Sequence, residues 1–165
     1  MTAWRLALLL GIAASGCAGP GSLVPGQSSL PDVKQTMGQP ALDWRDAEGW
    51  AHLAYPTGPM GYQTWMVLID PAGKVSRVEN VLDETHFAAI KRGMTQEQVL
   101  RLLGPPYPAW TMYFRARDEL AWEWRYCDLW RAASRFDVLF DNTLGTVRST
   151  LSIREVCGHN DNCFC

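Results

Sequence analysis

Four cysteines stand where a folded chain can use them: Cys127, and then Cys157, Cys163 and Cys165 close to the end. An even set in an oxidising compartment reads as a disulfide framework. Cys163 and Cys165 are separated by one residue, too close in sequence to pair with each other. Cys127 and Cys157 are each expected to take one of them, which would staple the tail 156–165 to a strand carrying Cys127. The rival chemistry is C-x-H-x3-C-x-C, formed by Cys157, His159, Cys163 and Cys165. Thiolates with an imidazole suit Zn²⁺ or Cu(I). The spacing matches no standard zinc motif, so the expectation is two disulfides and no cofactor.

A second set of residues suits binding. The stretch 107–117 reads Y-P-A-W-T-M-Y-F-R-A-R, with Trp110, Tyr113 and Phe114 beside Arg115 and Arg117. Aromatics and Arg dominate interface energetics, and Arg also pairs with phosphates. The alternative is an edge strand whose aromatics enter the core and whose arginines face water. Trp130-Arg131, in the loop D-L-W-R-A-A-S-R, is a similar candidate. Signals for catalysis are absent: there is no G-x-S-x-G elbow and no H-E-x-x-H. Asp70, Asp141 and the pair Asp118-Glu119 fall at turns, where Asp bonds nearby amides. The expectation is therefore a protein without a catalytic site.

The N-terminus gives an address. Arg5 and the apolar run 6–13, followed by Ala14-Ser15-Gly16, make a signal peptide over 1–16. Cys17 comes next, and A-S-G-C resembles a bacterial lipobox, with Ala14 where Leu is commonest. Acylation of Cys17 implies a lipid anchor, because two or three buried chains at about 0.8 kcal/mol per CH₂ hold stably. Ala18, not Asp, follows Cys17, which implies the periplasmic face of the outer membrane. Residues 17–27 are Gly/Pro-rich and read as a flexible tether reaching at most roughly 35 Å. A net charge of −2 argues against nucleic acid as a partner. Residues 18–90 hold four Lys/Arg against eight Asp/Glu, and residues 91–154 hold ten against seven. The second half could thus meet an acidic surface, or both halves are simply solvated.

The elements that must position these residues are written most clearly in residues 90–106, I-K-R-G-M-T-Q-E-Q-V-L-R-L-L-G-P-P. Thr95 and Gln98 form a capping box, Met94 and Val99 a hydrophobic staple, and Gly104-Pro105-Pro106 a stop. Residues 29–40 repeat the pattern: a capping hydroxyl, Val four residues on, an apolar pair, Gly and Pro. Further along, Trp44 parallels Trp110, and Leu53-Ala54-Tyr55 parallels Leu120-Ala121-Trp122. The apolar run Val67-Leu68-Ile69-Asp70 parallels Val138-Leu139-Phe140-Asp141, each before a glycine turn. Two units follow, 28–82 and 83–155. In the second, helices are expected over 83–92 and 95–103, and strands near 109–116, 120–127, 135–141 and 146–154. Alternation places Trp122, Trp124 and Tyr126 on one face of a strand, and Val147, Ser149, Leu151 and Ile153 on one face of another. In the first unit Pro56 and Pro59 are expected to break a strand. The fold class is α+β, with short helices on one face of an antiparallel sheet, twice over.

These motifs resemble the SmpA/OmlA (BamE-like) family of outer-membrane lipoproteins. The resemblance rests on 91–106, Trp122 to Tyr126, Phe136-Asp137-Val138, Phe140-Asp141 and Gly145-Thr146-Val147. It implies a periplasmic protein-interaction scaffold serving the machinery that inserts β-barrel proteins, or envelope integrity. The tandem arrangement is similar to that of β-lactamase inhibitory protein, which implies the alternative of a binding or inhibitor protein for one periplasmic enzyme.

Overall fold

The computed structural model describes residues 20–58, 60–158 and 163–165. The expected signal peptide, Cys17, Pro59 and His159 lie outside the described residues. The chain is α+β: two four-stranded antiparallel meanders follow one another, each led by a helix. The first unit has α1 (Leu30–Met37), then β1 (Leu42–Arg45), β2 (Ala51–Pro56), β3 (Thr64–Ile69) and β4 (Val75–Asn80). The second has a one-turn α2 (Glu84–Phe87) and α3 (Gln96–Leu103). Its strands are β5 (Met112–Phe114), β6 (Glu119–Cys127), β7 (Ala133–Asp141) and β8 (Thr146–Arg154). Strand order in both sheets follows the sequence. Among the described residues no helix is long and apolar enough to cross a membrane.

The two units share their local physics. Both long helices begin in a capping box, Ser29 with Asp32 and Thr95 with Gln98. The valine four residues after each cap, Val33 and Val99, is fully buried. Each cap is strapped to the last strand of its own sheet. Val75 N donates to Ser28 O at 2.8 Å, and Val147 N to Met94 O at 2.8 Å. Gly26 N returns to Val75 O at 2.7 Å, and Gly93 N to Val147 O at 2.8 Å. The last hairpin of each unit also shifts register at the same place, between Leu68 and Ile69 and between Leu139 and Phe140. A bulge of this kind bends and twists the strand.

The layers differ from the two-layer expectation. On the first sheet, Leu53, Tyr55, Val67, Ile69 and Val75 pack under α1 with Val33. The opposite face, through Ala54 and Met66, joins a second core with Phe87, Val99 and Leu103. That core continues into Trp124, Phe136, Val138, Phe140 and Val147 of the second sheet. Helices α2 and α3 therefore lie between the two sheets, and the first sheet is covered on both faces. The reason is geometric: Gly104, at the end of α3, sits against Thr64 and Ala54.

Several expectations are corrected. Residues 20–27 are not a free tether: Leu23 is buried beside Val33 and Val75, and Gly26 bonds the strand. The helix expected over 83–92 stops at Phe87, because the next turns close with i→i+3 bonds from Ala89 and Ile90. The strand expected over 109–116 shrinks to β5, since 3₁₀ turns at Pro108–Trp110 and Arg115–Arg117 flank it. Pro56 does not break β2; it is the last residue of that strand, opposite Thr64. The repeat is offset by two on one strand. Leu53 pairs with Val67 as Trp122 pairs with Val138, so Leu53 corresponds to Trp122, not Leu120. The bulge also separates Val147, which enters the core, from Leu151 and Ile153, which are exposed on the other face.

Gly104 has φ 72° and ψ −171°, a region glycine alone adopts freely, and an added Cβ would stand 2.7 Å from Thr64 Cγ2. Gly38 has a similar backbone at φ 79° but meets open space. In chemical denaturation, Gly104→Ala is expected to cost about 3 kcal/mol and Gly38→Ala less. Adding Thr64→Ser to Gly104→Ala should recover part of the loss, because it removes Cγ2.

Candidate functional site on the outer face of the second sheet

With α2 and α3 on its inner face, the second sheet turns its other face outward. Cross-strand register sets that face in rows. Phe114, Glu119 and Asp141 form one row, and Met112, Ala121 and Leu139 the next. Glu123, Asp137 and Leu151 form the third, and Arg125, Arg135 and Ile153 the fourth. Trp110, half-buried in the turn before β5, leans over the third and fourth rows, with the Arg135 guanidinium 4.5 Å from its ring centre. The result is a cleft of about 400 Å³ between Trp110 and Phe114 on one side and Leu139 and Leu151 on the other.

The polar floor of the cleft is unusual. Glu123 and Asp137 are directly opposite each other on β6 and β7, placed so that their carboxyls can hydrogen-bond when one is protonated. Two ionised carboxylates so placed repel each other, which favours a proton on one of them. Burial, the Asp137 hydrogen bond and the Asp137 charge push Glu123 up to about 7. Burial raises Asp137 as well. Asp137 is only 8% exposed, and its Oδ1 has no hydrogen-bond partner among the described residues.

The guanidiniums around the pair are committed elsewhere. Glu155 takes Arg125 through Nε and Nη2, at 2.8 and 2.6 Å, and Arg135 Nε at 3.1 Å. Burial opposes ionisation of Glu155, but these bonds outweigh it and hold its carboxyl below the usual range. Arg135 reaches Glu123 only at 3.3 Å. Arg117 sits 2.8 Å from Glu119 and stacks over Phe114 at 4.9 Å. Arg125 also lies 4.3 Å over the Tyr62 ring and donates to Met60 O, tying the first unit's 57–63 loop to the second sheet.

Of the residues predicted from sequence, Trp110, Phe114 and Arg117 line this cleft. Tyr113 and Arg115 are exposed on the far side of the same edge, and the Tyr113 hydroxyl donates to Asp118 at 2.9 Å. The aromatics of β5 do not enter the core: Met112, Tyr113 and Phe114 are all exposed. Asp118 is a turn residue, accepting from Tyr113, Asn142 and Thr143. Trp130 and Arg131 lie apart from the cleft, at the tip of the β6–β7 hairpin, where Leu129 and Trp130 are 81% and 78% exposed. Asp128 braces that tip, accepting from Trp130 N, Ala132 N and Arg154. Sequence reasoning missed Glu119, Glu123, Asp137 and Arg135. The signal was present: if Trp122, Trp124 and Tyr126 face the core, Glu123 and Arg125 share the opposite face.

The tail supports the hairpin. Cys127 pairs with Cys165 and Cys157 with Cys163, at Cα separations of 6.0 and 5.3 Å, both compatible with disulfide bonds. Cys165 N donates to Arg131 O and Ala133 N to Cys163 O, so the tail lies alongside the start of β7. This pairing leaves Cys157, Cys163 and Cys165 without free thiolates for the metal alternative. Among the described residues no group of three His, Cys, Asp or Glu is placed to hold a metal ion.

Two outcomes are expected. Non-reducing peptide mapping should recover the fragments Cys127–Cys165 and Cys157–Cys163, and no crossed pair. For the carboxyl pair, a pKa raised on folding favours the folded state at low pH. That advantage is complete below about 4.5 and lost as pH rises through about 7. The melting temperature should therefore fall by a few degrees between pH 5.5 and pH 8. Glu123→Gln, which can donate its amide to Asp137 at either pH, should flatten that fall.

Compared with known proteins, the chain matches no family model, no curated protein and no solved structure.

Proposed function

We propose that the chain is an outer-membrane lipoprotein, anchored through Cys17, whose folded part is a non-catalytic, BamE-like protein-interaction scaffold on the periplasmic side. Its work is outer-membrane β-barrel assembly or envelope integrity. The observation that carries an interaction role is the presentation of large apolar side chains on a braced frame. Leu129 and Trp130 project from a hairpin held by Asp128 and the Cys127–Cys165 pair, and Phe164 is exposed in the tail beside them. Met112, Tyr113 and Phe114 are exposed on the free edge of the same sheet. Exposed apolar groups of this size mark contact surfaces, and fixing them beforehand lowers the entropy lost on binding. The same braced tip favours a second reading, an inhibitor or binding protein for one periplasmic enzyme.

The test is crosslinking and pulldown of the lipidated protein in detergent. The scaffold reading expects the barrel-assembly machinery to co-purify. Trp130→Ala combined with Phe114→Ala should lower recovery at least about tenfold at unchanged melting temperature. Equal recovery with the variant would overturn that surface. The inhibitor reading instead expects a one-to-one complex with an enzyme when no membrane is present. Separately, Cys17→Ser should release the protein from the membrane fraction.

A further inference from the structure

We propose that the outer face of the second sheet binds one basic side chain of a partner protein, an amine or guanidinium, over the cross-strand carboxyls of Glu123 and Asp137. This rests on the reading of the chain as an interaction module and names what the module recognises. The first argument is charge. Among the described residues around the cleft, Glu119, Glu123, Asp137 and Glu155 pair with three guanidiniums, those of Arg117, Arg125 and Arg135. Asp141, further along β7, is matched by Arg148 at 2.7 Å. On strand β8 the residue opposite Asp137 is Leu151, not a cation. One positive charge is therefore missing from this face.

The second argument is the unfilled acceptor. Asp137 Oδ1 has no hydrogen-bond partner among the described residues, although Asp137 is nine-tenths buried. An unpaired buried acceptor costs about 1–3 kcal/mol, and more when charged. The third is shape. The cleft has an aromatic wall in Trp110 and Phe114 and an aliphatic wall in Leu139 and Leu151. Such walls suit the methylene stem of Lys or Arg, while the carboxyls on the floor suit its head. The charges balance: the basic group arrives as a cation, any proton on the pair leaves to water, and both carboxyls end ionised around the ligand.

The probe is the blocked tripeptide Gly-Arg-Gly, with its citrulline counterpart as the neutral isostere. Each is titrated by calorimetry into the mature full chain, in two buffers of different ionisation enthalpy. The Arg peptide is expected to bind at least tenfold more tightly than the citrulline peptide. Binding at pH 6 should release close to one proton, and affinity should rise about tenfold from pH 6 to pH 8 as the pair ionises unaided. Glu123→Gln leaves three carboxylates facing three guanidiniums. It should lose the preference for Arg and the pH dependence, while melting as the parent does at pH 5.5. Equal binding of the two peptides, no proton release, or unchanged Arg binding by Glu123→Gln would each overturn the proposal. If the pulldown recovers a partner but the peptide does not bind, this inference alone fails. If the peptide binds and no partner is recovered, the scaffold reading fails and the cation site stands.

Discussion

Helix α3 has to satisfy two sheets at once, and most of the architecture follows from that. Its start is fixed by the strap between Met94 and Val147, which ties it to the second sheet. Its end is fixed by Gly104, which lies against Thr64 and Ala54 of the first. Between those points Val99 and Leu103 are fully buried in one core with residues of both sheets. A helix of eight residues has little stability of its own, so its order derives from these contacts. The first unit's helix has one sheet to serve and is held by the equivalent strap through Ser28 and Val75. The two units share their local structure but not their burial.

This layering decides where the polar chemistry goes. The second sheet gives its inner face to α3, and no helix among the described residues covers its outer face. That face is sheltered only by the turn carrying Trp110 and by its own long side chains. Partial shelter raises the carboxyl pair without excluding a ligand. A fully buried pair would have to be matched within the fold, and a fully solvated one would simply ionise. Glu123 and Asp137 sit between those cases. Arg125, shared between Glu155 and the 57–63 loop, makes the unit boundary part of the same network.

Much of the local structure was legible in the chain. Thr95 with Gln98 announced a helix start, Gly104-Pro105 its end, and the Asp-to-Gly turns after Ile69 and Phe140 the hairpins. Each signal is local, since cap, stop and turn act within a few residues. The cysteine pairs stand at disulfide distance as expected, since cysteines two apart rarely close on each other. The misreadings were all of long range. Residues 20–27 look like a linker in composition, yet Leu23 finds a place beside Val75. Leu53 and Trp122 correspond only when strand register is known. Alternation along β8 fails at Val147 because a bulge inserts one residue.

By itself, then, the sequence determined the element types, the doubled unit and the tail chemistry, because each depends on neighbours along the chain. It also placed aromatics and arginines at the edge strand. Tertiary structure decided that Trp110, Phe114 and Arg117 line a cleft, that its floor brings two carboxyls together, and that Trp130 stands apart. Those outcomes depend on which residues register sets opposite one another. Glu123 and Asp137 are fourteen positions apart in the chain and become a pair only across the β6–β7 ladder.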